Sequence, residues 1–198
     1  MLSRKPEAVS YIMQPDLFGN EDNRVEYFFV ISPPPAVVNA VRRFKARLHE
    51  RIGLDAINMR SMAHISLFKF LKNDNDSLII SKAAAALKHK TIFDIRLRGA
   101  DSFLHKDRAG TLYIKIAQPD PVNIVTRLLC TAFSLAYRPS IPHLTIARNV
   151  PLPSFVKIDP ADFDYHYDFI CRHITLLKWN GEKYDVIHEA PLNDTAPA

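Results

Sequence analysis

The sequence predicts a mixed fold of strands and helices, arranged as two similar lobes that face each other across a cleft. The main reason is a repeat, in which a strand, a proline-marked turn, an amphipathic helix and a histidine-containing strand follow one another twice. The composition supports a folded chain, because 47% of the 198 residues are hydrophobic and 24% are charged. We therefore expect one compact domain over residues 24–198, preceded at 1–23 by a mobile or loosely docked extension.

The first copy of the repeat begins with the run YFFVIS at 27–32. Its aromatic and β-branched residues predict a buried strand that ends at Pro33. Apolar residues then recur at intervals of three and four, which predicts an amphipathic helix ending near Gly53. Its apolar positions are Val41, Phe44, Leu48 and Ile52, and the basic positions between them are Arg42, Arg43, Lys45, Arg47 and Arg51. The alternating run HISLFKF at 64–70 predicts the strand that completes this copy.

The second copy repeats this order, with prolines at matching positions. The other expected elements are a helix at 77–90, strands at 93–99, 111–117, 143–147, 165–178 and 183–189, and a hairpin turn at Asn180-Gly181. A helix after the 111–117 strand has its apolar face at Val125, Leu128, Leu129, Ala132, Phe133 and Ala136. Tyr27, Pro33 and Pro35 correspond to Tyr113, Pro119 and Pro121 at one constant offset. His64 corresponds to His143 after a slightly shorter connection, so the repeat predicts two histidines across a shared cleft.

Each histidine-containing strand has a hydroxyl residue two positions further on: His64 precedes Ser66, and His143 precedes Thr145. Side chains at i and i+2 leave the same face of a strand, so each histidine shares a face with its hydroxyl partner. At neutral pH one imidazole can accept a proton while another donates one, and hydroxyl groups can hold phosphate oxygens. The pattern therefore predicts cleavage of a phosphodiester with the two histidines as an acid-base pair.

A third match to this pattern is His173-Ile174-Thr175-Leu176. About 0.2 matches are expected by chance among eight histidines, so three matches need an explanation. No proline-marked strand and helix precede His173 at the spacing of the repeat. We therefore expect His173 to be a structural position in the penultimate strand.

The segments HISL and PHLTIAR in this duplicated frame resemble the 2H phosphoesterase superfamily, the 2'-5' RNA ligase-like proteins. The resemblance covers roughly residues 25–190. It implies an α+β fold with two pseudo-symmetric lobes, each an antiparallel sheet with outer helices, around a central cleft. It also implies hydrolysis of cyclic phosphates or 2',5' linkages, sometimes with RNA joining in reverse. His64, Ser66, His143 and Thr145 are then the four signature positions, with serine at 66 where the family more often has threonine.

Three other residues are candidates for substrate binding. Phe68 has the strand parity of His64 and could stack on a nucleobase, although a phenylalanine in a strand is more often part of the core. Tyr113 and Arg138 could reach the phosphate, Arg138 from the loop before His143. The basic helix at 41–51 could contact a polynucleotide backbone, but a solvated face is the simpler interpretation.

In the N-terminal extension, Gln14, Leu17 and Phe18 belong to a short segment that resembles the peptides which bind the bacterial sliding clamp. Such a segment could dock weakly on a partner. Five residues are a short motif, and a chance match is the alternative interpretation.

The composition indicates which class of protein and which cellular location to expect. The net charge of +5 and the pI near 9.2 favour anionic partners such as phosphate esters or RNA. Cys130 and Cys171 lie in apolar stretches without metal-ligand spacing, so we expect buried thiols. With five glycines and no phosphate-binding loop, dinucleotide fingerprint or metal-ligand cluster, we expect no cofactor and no metal. We also expect a cytoplasmic location, because no signal peptide or membrane span is apparent. We expect the protein to be a monomer.

Two alternatives to a hydrolase of 2',3'-cyclic or other 2'-linked phosphodiesters remain open at this stage. One is an RNA-binding module that has the same cleft but no turnover. The other is an esterase of this type that acts on a small phosphate ester other than RNA. The sequence also leaves open which histidine is the base.

Overall fold

The structure is a computed structural model that describes residues 23–105 and 108–194. Within these ranges the chain forms eight strands, five α-helices and a 3-10 helix. The strands are β1 (Arg24–Ile31), β2 (Ile65–Asn73), β3 (Phe93–His105), β4 (Ala109–Ile116), β5 (His143–Pro151), β6 (His166–Cys171), β7 (His173–Trp179) and β8 (Tyr184–Pro191). The helices are α1 (Pro35–Ile52), α2 (Ala56–Arg60), α3 (Asp76–Leu87), α4 (Asp120–Ala132) and α5 (Leu152–Phe155), with the 3-10 helix at Pro160–Phe163. The docking segment with Gln14, Leu17 and Phe18 lies outside the described residues.

The strands of this part of the chain form a single sheet in the order β6-β3-β4-β5-β2-β1-β7-β8. Every pair of neighbouring strands is antiparallel. The sheet consists of two four-stranded halves that join where β2 pairs with β5, with Ile65 opposite Leu144. The predicted α+β fold with two antiparallel lobes is confirmed.

The sheet curls, and the connection from β6 to β7 shows why. We predicted one strand over 165–178, but the chain changes partners at Arg172. Cys171 on β6 pairs with Phe93 in one half, while His173 on β7 pairs with Pro191 in the other. Because one residue links β6, at one end of the sheet order, to β7, next to the other end, the two ends must lie close together.

Strand β3 is longer than predicted. The sequence predicted a strand over 93–99, with Gly99 as its last residue. In the structure Gly99 adopts a φ of 70° at a bulge between Leu97 and Ala100, and the strand continues to His105. This extension adds Phe103 to the face of the sheet that bears His143.

The helices cover one face of the sheet and leave the other uncovered; we call the second the open face. Helix α1 begins after Pro34 and ends at Gly53, whose φ of 67° suits a residue without a side chain. The buried core between sheet and helices includes Phe29, Ile65 and Leu144 from strands, and Val41, Leu48, Ile79, Val125 and Leu129 from helices. Lys45, which we expected on the solvated side of α1, is instead 3% exposed.

Two smaller expectations concern the thiols and the membrane. Cys130 and Cys171 are buried and unpaired, as predicted. Among the described helices, none combines the length and the apolar character that a membrane crossing requires.

Phe68 does not share the face of His64, because a bulge intervenes. The partner of Ser66 on β1 is Val30, and the partner of Phe68 is Phe29, so β2 has one extra residue at this point. The extra residue turns Phe68 toward the helix-covered face, where its ring packs against Phe29 at 5.3 Å and Phe70 at 5.6 Å. The predicted stacking of Phe68 on a nucleobase is therefore wrong, since the strand parity on which it depended does not hold.

Replacing Phe68 with alanine should reduce the free energy of unfolding by about 2 kcal/mol, because it leaves a cavity in the aromatic cluster. Urea denaturation measures the change. Leu71→Ala is a matched control on the same strand, since Leu71 is 56% exposed, and a change within about 0.5 kcal/mol is expected for it. Equal stability of the Phe68 and Leu71 variants would contradict the placement of Phe68.

Candidate active site

The junction of the two halves brings the four motif residues together on the open face. Ile65 and Leu144 are paired and both point into the core. In an antiparallel pair the next positions along each strand are then opposite one another, which places His64 by Thr145 and Ser66 by His143. Paired residues point to the same side of a sheet, so all four side chains project from the open face.

His64 is oriented by a backbone carbonyl. Its Nδ1 lies 2.9 Å from the oxygen of Met62, and its ring packs edge-on against Phe28 with the ring centres 5.2 Å apart. A carbonyl oxygen only accepts hydrogen bonds, so Nδ1 must hold the proton. The lone pair of a neutral His64 is therefore on Nε2.

His143 is held in the same manner. Its Nδ1 lies 2.8 Å from the oxygen of Ile141, again two residues earlier in the chain. Its ring packs against Tyr113 at 4.9 Å and Phe103 at 5.7 Å. Both imidazoles thus have Nδ1 bonded to the backbone and Nε2 left available for a substrate.

The surroundings of His64 keep it neutral. Burial above all, together with the nearby charges of Arg148, Lys45 and Lys69, lowers the pKa of His64 to about 4, although the hydrogen bond with the Met62 carbonyl opposes this shift. Of these cations, Lys45 is the buried one, and burial together with the charge of Arg148 lowers its own pKa to about 8. At neutral pH, His64 is therefore a proton acceptor surrounded by positive charge.

A hydrogen-bonded clamp connects the segment before His64 to the other half of the sheet. The side-chain amide of buried Asn58 donates to the Arg148 carbonyl at 2.9 Å and accepts from the Arg148 amide at 2.9 Å. Asp55 accepts a bond from the Asn58 backbone amide. Lys45 donates to the carbonyl and hydroxyl of Ser61, three residues before His64. These contacts tie the approach to His64 to the strand that begins at His143.

The other predicted binding residues are Tyr113, Arg138 and the arginines of the basic helix. Tyr113 lies against His143, in agreement with a place near the site. Arg138 is exposed on the connection between α4 and β5, and its contact with phosphate stays a prediction. In the basic helix, Arg47 donates to the backbone of Asp162 and Arg51 forms an ion pair with its carboxylate, so these two arginines are occupied within the protein.

The repeat that the sequence suggested differs from the structural repeat in one detail. Tyr113 pairs with Thr145, whereas the residue that pairs with Ser66 in the first half is Val30. Tyr27 instead is fully buried and donates a hydrogen bond to Asp76 at 2.8 Å. The two tyrosines are therefore not equivalent, although they are related by the same offset as the prolines.

Sequence reasoning missed several side chains near the histidines. They are Phe28, Lys69, Phe103 and Arg148. Arg148 follows the second motif within PHLTIAR, and this position was the one available signal. Phe28, Lys69 and Phe103 lie near the histidines only because of strand pairing and bulges. Among the described residues, no group of three or more His, Cys, Asp or Glu side chains could hold a metal ion.

Comparisons with known proteins agree with this geometry. A family model described as the 2'-5' RNA ligase superfamily matches residues 33–183. No curated protein matches the chain significantly. Among solved structures, LigT of E. coli in its apo form is similar with a TM-score of 0.67 at 18% identity, covering 86% of this chain and 99% of LigT. LigT complexed with 3'-AMP has a TM-score of 0.64 at 18% identity, covering 85% of this chain and 98% of LigT.

TT0787 of Thermus thermophilus is also similar, with a TM-score of 0.59 at 16% identity, covering 84% of this chain and 97% of TT0787. At these identities the likeness concerns the fold. The family model spans most of the chain and includes both histidine motifs. The chain belongs to the 2'-5' RNA ligase superfamily, the 2H phosphoesterases.

Proposed function

We propose that this protein is a metal-independent phosphodiesterase that cleaves 2',3'-cyclic phosphates or other 2'-linked RNA-type phosphodiesters. The observation that supports this most is the matched orientation of two imidazoles at the junction of the halves. Each has Nδ1 bonded to a carbonyl two residues earlier, which leaves Nε2 as the nitrogen for proton transfer in both rings. Membership of the 2'-5' RNA ligase superfamily agrees with a phosphodiesterase-type activity.

The environments of the two histidines suggest their roles. His64 has a pKa lowered to about 4, so at neutral pH its Nε2 can accept a proton from water or from a sugar hydroxyl. His143 then acts as the acid that protonates the leaving oxygen. His64 and His143 are diagonally opposed in the paired strands, and this supports a scheme with the base on one side of the phosphate and the acid on the other, as in-line displacement requires.

The hydroxyl groups complete the scheme. Ser66 and Thr145 occupy the other diagonal and can donate hydrogen bonds to the non-bridging oxygens of the phosphate. The cations near His64, including Arg148, favour an anionic substrate. With both proton transfers assigned to histidines, the scheme has no step that needs a metal.

The choice of an RNA-type substrate is supported by the similar structures. LigT has been solved with 3'-AMP, with ATP and with NADP+. Phe103, whose ring packs beside His143 and is 37% exposed, suits a substrate that contains a nucleobase. Hydrolysis gives a phosphomonoester, and the same site could join a 2'-5' linkage in reverse.

Turnover of 2',3'-cyclic nucleotides in EDTA tests the scheme. Replacing either His64 or His143 with alanine should lower kcat by about 10² to 10⁴, because each removes one proton-transfer group. His89→Ala is the matched control, since His89 is exposed just after the end of α3 and outside the motif strands, and it should retain wild-type turnover.

Loss of wild-type activity in EDTA would contradict the metal-independent scheme. Tight, salt-sensitive RNA binding without any product would instead favour the binding-module alternative. Turnover of a small ester such as ADP-ribose cyclic phosphate, with none of the cyclic nucleotides, would favour the alternative of an esterase that acts on a small phosphate ester other than RNA.

The pH dependence tests the assignment of the base. A protonated His64 cannot accept a proton, so kcat/KM should fall on the acid side near pH 4, where His64 titrates. Arg148→Gln removes a cation that disfavours protonated His64, so the pKa of His64 should rise and the acid limb should move to higher pH. NMR titration of the His64 ring measures this directly.

Arg172→Gln is the control for the titration, because Arg172 is exposed and pairs with Asp194. It should leave the titration of His64 unchanged. A wild-type His64 that titrates near the ordinary histidine pKa of about 6.5 would rule out the proposed assignment.

A further inference from the structure

The third histidine motif lies on the open face, beside the proposed active site. Val30 on β1 pairs with Ser66 on one side and with Thr175 on the other. Paired residues point to the same side of a sheet, so Thr175 faces as Ser66 does. His173 is two residues before Thr175 in the same strand and shares that face. The sequence indicated only a structural position for His173, because its strand lies outside the repeat.

The register also gives the distance between the two histidines. Ser32 follows Ile31, the partner of Ile65, and is therefore next to His64. On its other side, Ser32 is next to His173, by continuation of the pairing between Val30 and Thr175. Since neighbouring strands are about 4.8 Å apart, the backbones at His64 and His173 are separated by about 10 Å. That span is comparable to the size of one nucleotide sugar and its linkage.

Ser32, His173 and Glu189 form a polar cluster on this flank of the site. Glu189 pairs with Thr175 and so faces the same way. The imidazole Nε2 of His173 lies 3.4 Å from a carboxylate oxygen of Glu189, and the side chains are 38% and 56% exposed. The hydroxyl of exposed Ser32 is 2.8 Å from the hydroxyl of buried Thr175. The cluster therefore presents a carboxylate, an imidazole and a hydroxyl to solvent.

The charge of the cluster indicates what it can bind. A carboxylate repels phosphate, so a second phosphate group is disfavoured at Glu189. A sugar hydroxyl suits the cluster, because it can donate to the carboxylate while it accepts from an imidazole N–H or a serine hydroxyl. The separation of 3.4 Å between His173 and Glu189 is longer than a strong hydrogen bond, so a ligand hydroxyl can compete for both groups.

We infer that Ser32, His173 and Glu189 bind the ribose hydroxyls of the nucleoside joined through its 5' oxygen to the scissile phosphate. In this arrangement water enters beside His64, the 2' oxygen leaves on the His143 side, and the 5' ester bond stays intact. This inference rests on the proposed function, since it takes the scissile phosphate to lie between His64 and His143. It makes the substrate a phosphodiester with a ribose on this flank, such as a 2'-5'-linked RNA end, and disfavours a deoxy sugar there.

The experiment compares two dinucleotides. One is 2'-5'-linked adenylyl-adenosine, and the other has 2',3'-dideoxyadenosine at its 5'-linked end. Wild-type kcat/KM should favour the ribose form by about tenfold or more, as expected for hydrogen bonds to a charged partner. In His173→Ala and in Glu189→Gln the ratio should fall toward one. Glu182→Gln, the same change in the exposed β7–β8 turn, should keep the wild-type ratio.

Adenosine 2',3'-cyclic phosphate has no 5'-linked nucleoside and tests the proposed function separately. Cleavage of this ester by wild type but not by His64→Ala supports the proposed function. If the dinucleotide ratio is then the same in wild type, His173→Ala and Glu189→Gln, the ribose site is wrong while the proposed function stands. If wild type cleaves none of the three esters, the proposed function fails. The ratio of Kd values for the two dinucleotides, measured by calorimetry, then decides the ribose site in the same variants.

Discussion

The pairing of β2 with β5 is the contact on which the rest of the site depends. Two four-stranded halves meet there through the pair Ile65 and Leu144. Both residues are fully buried, so the core fixes which way they point, and the motif residues on either side must then point outward. A slip of one residue at this junction would turn one histidine motif into the core. The Asn58 clamp adds two hydrogen bonds across the same junction.

Charge is distributed unevenly around this junction. The cations Lys45, Lys69 and Arg148 influence His64, and one of them is buried. Burying an ammonium group has a cost that hydrogen bonds must offset, and Lys45 recovers part of it from Ser61. The same bonds hold the segment that leads to His64. On the neighbouring flank, Glu189 supplies negative charge beside His173.

The two halves share a backbone plan and differ in what surrounds each histidine. Both imidazoles bond to a carbonyl two residues earlier. His64 packs on Phe28, whereas His143 packs on Tyr113 and Phe103. This asymmetry suits the acid-base scheme proposed above, because two histidines in identical surroundings would favour the same protonation state. The fold is shared with LigT at 18% identity.

Local patterns in the sequence determined much of this protein. Alternation and helical periodicity predicted β1, α1 and both motif strands, and Gly53 predicted the end of α1, because these features depend on neighbours in the chain. Only the tertiary structure decided the position of Phe68, the burial of Lys45, the continuation of β3 and the split at Arg172. A bulge reverses strand parity and a curled sheet exchanges strand partners, and both depend on residues far apart in sequence. For that reason the sequence could predict the strands that carry the first two histidine motifs but not that His173 lies on the same open face.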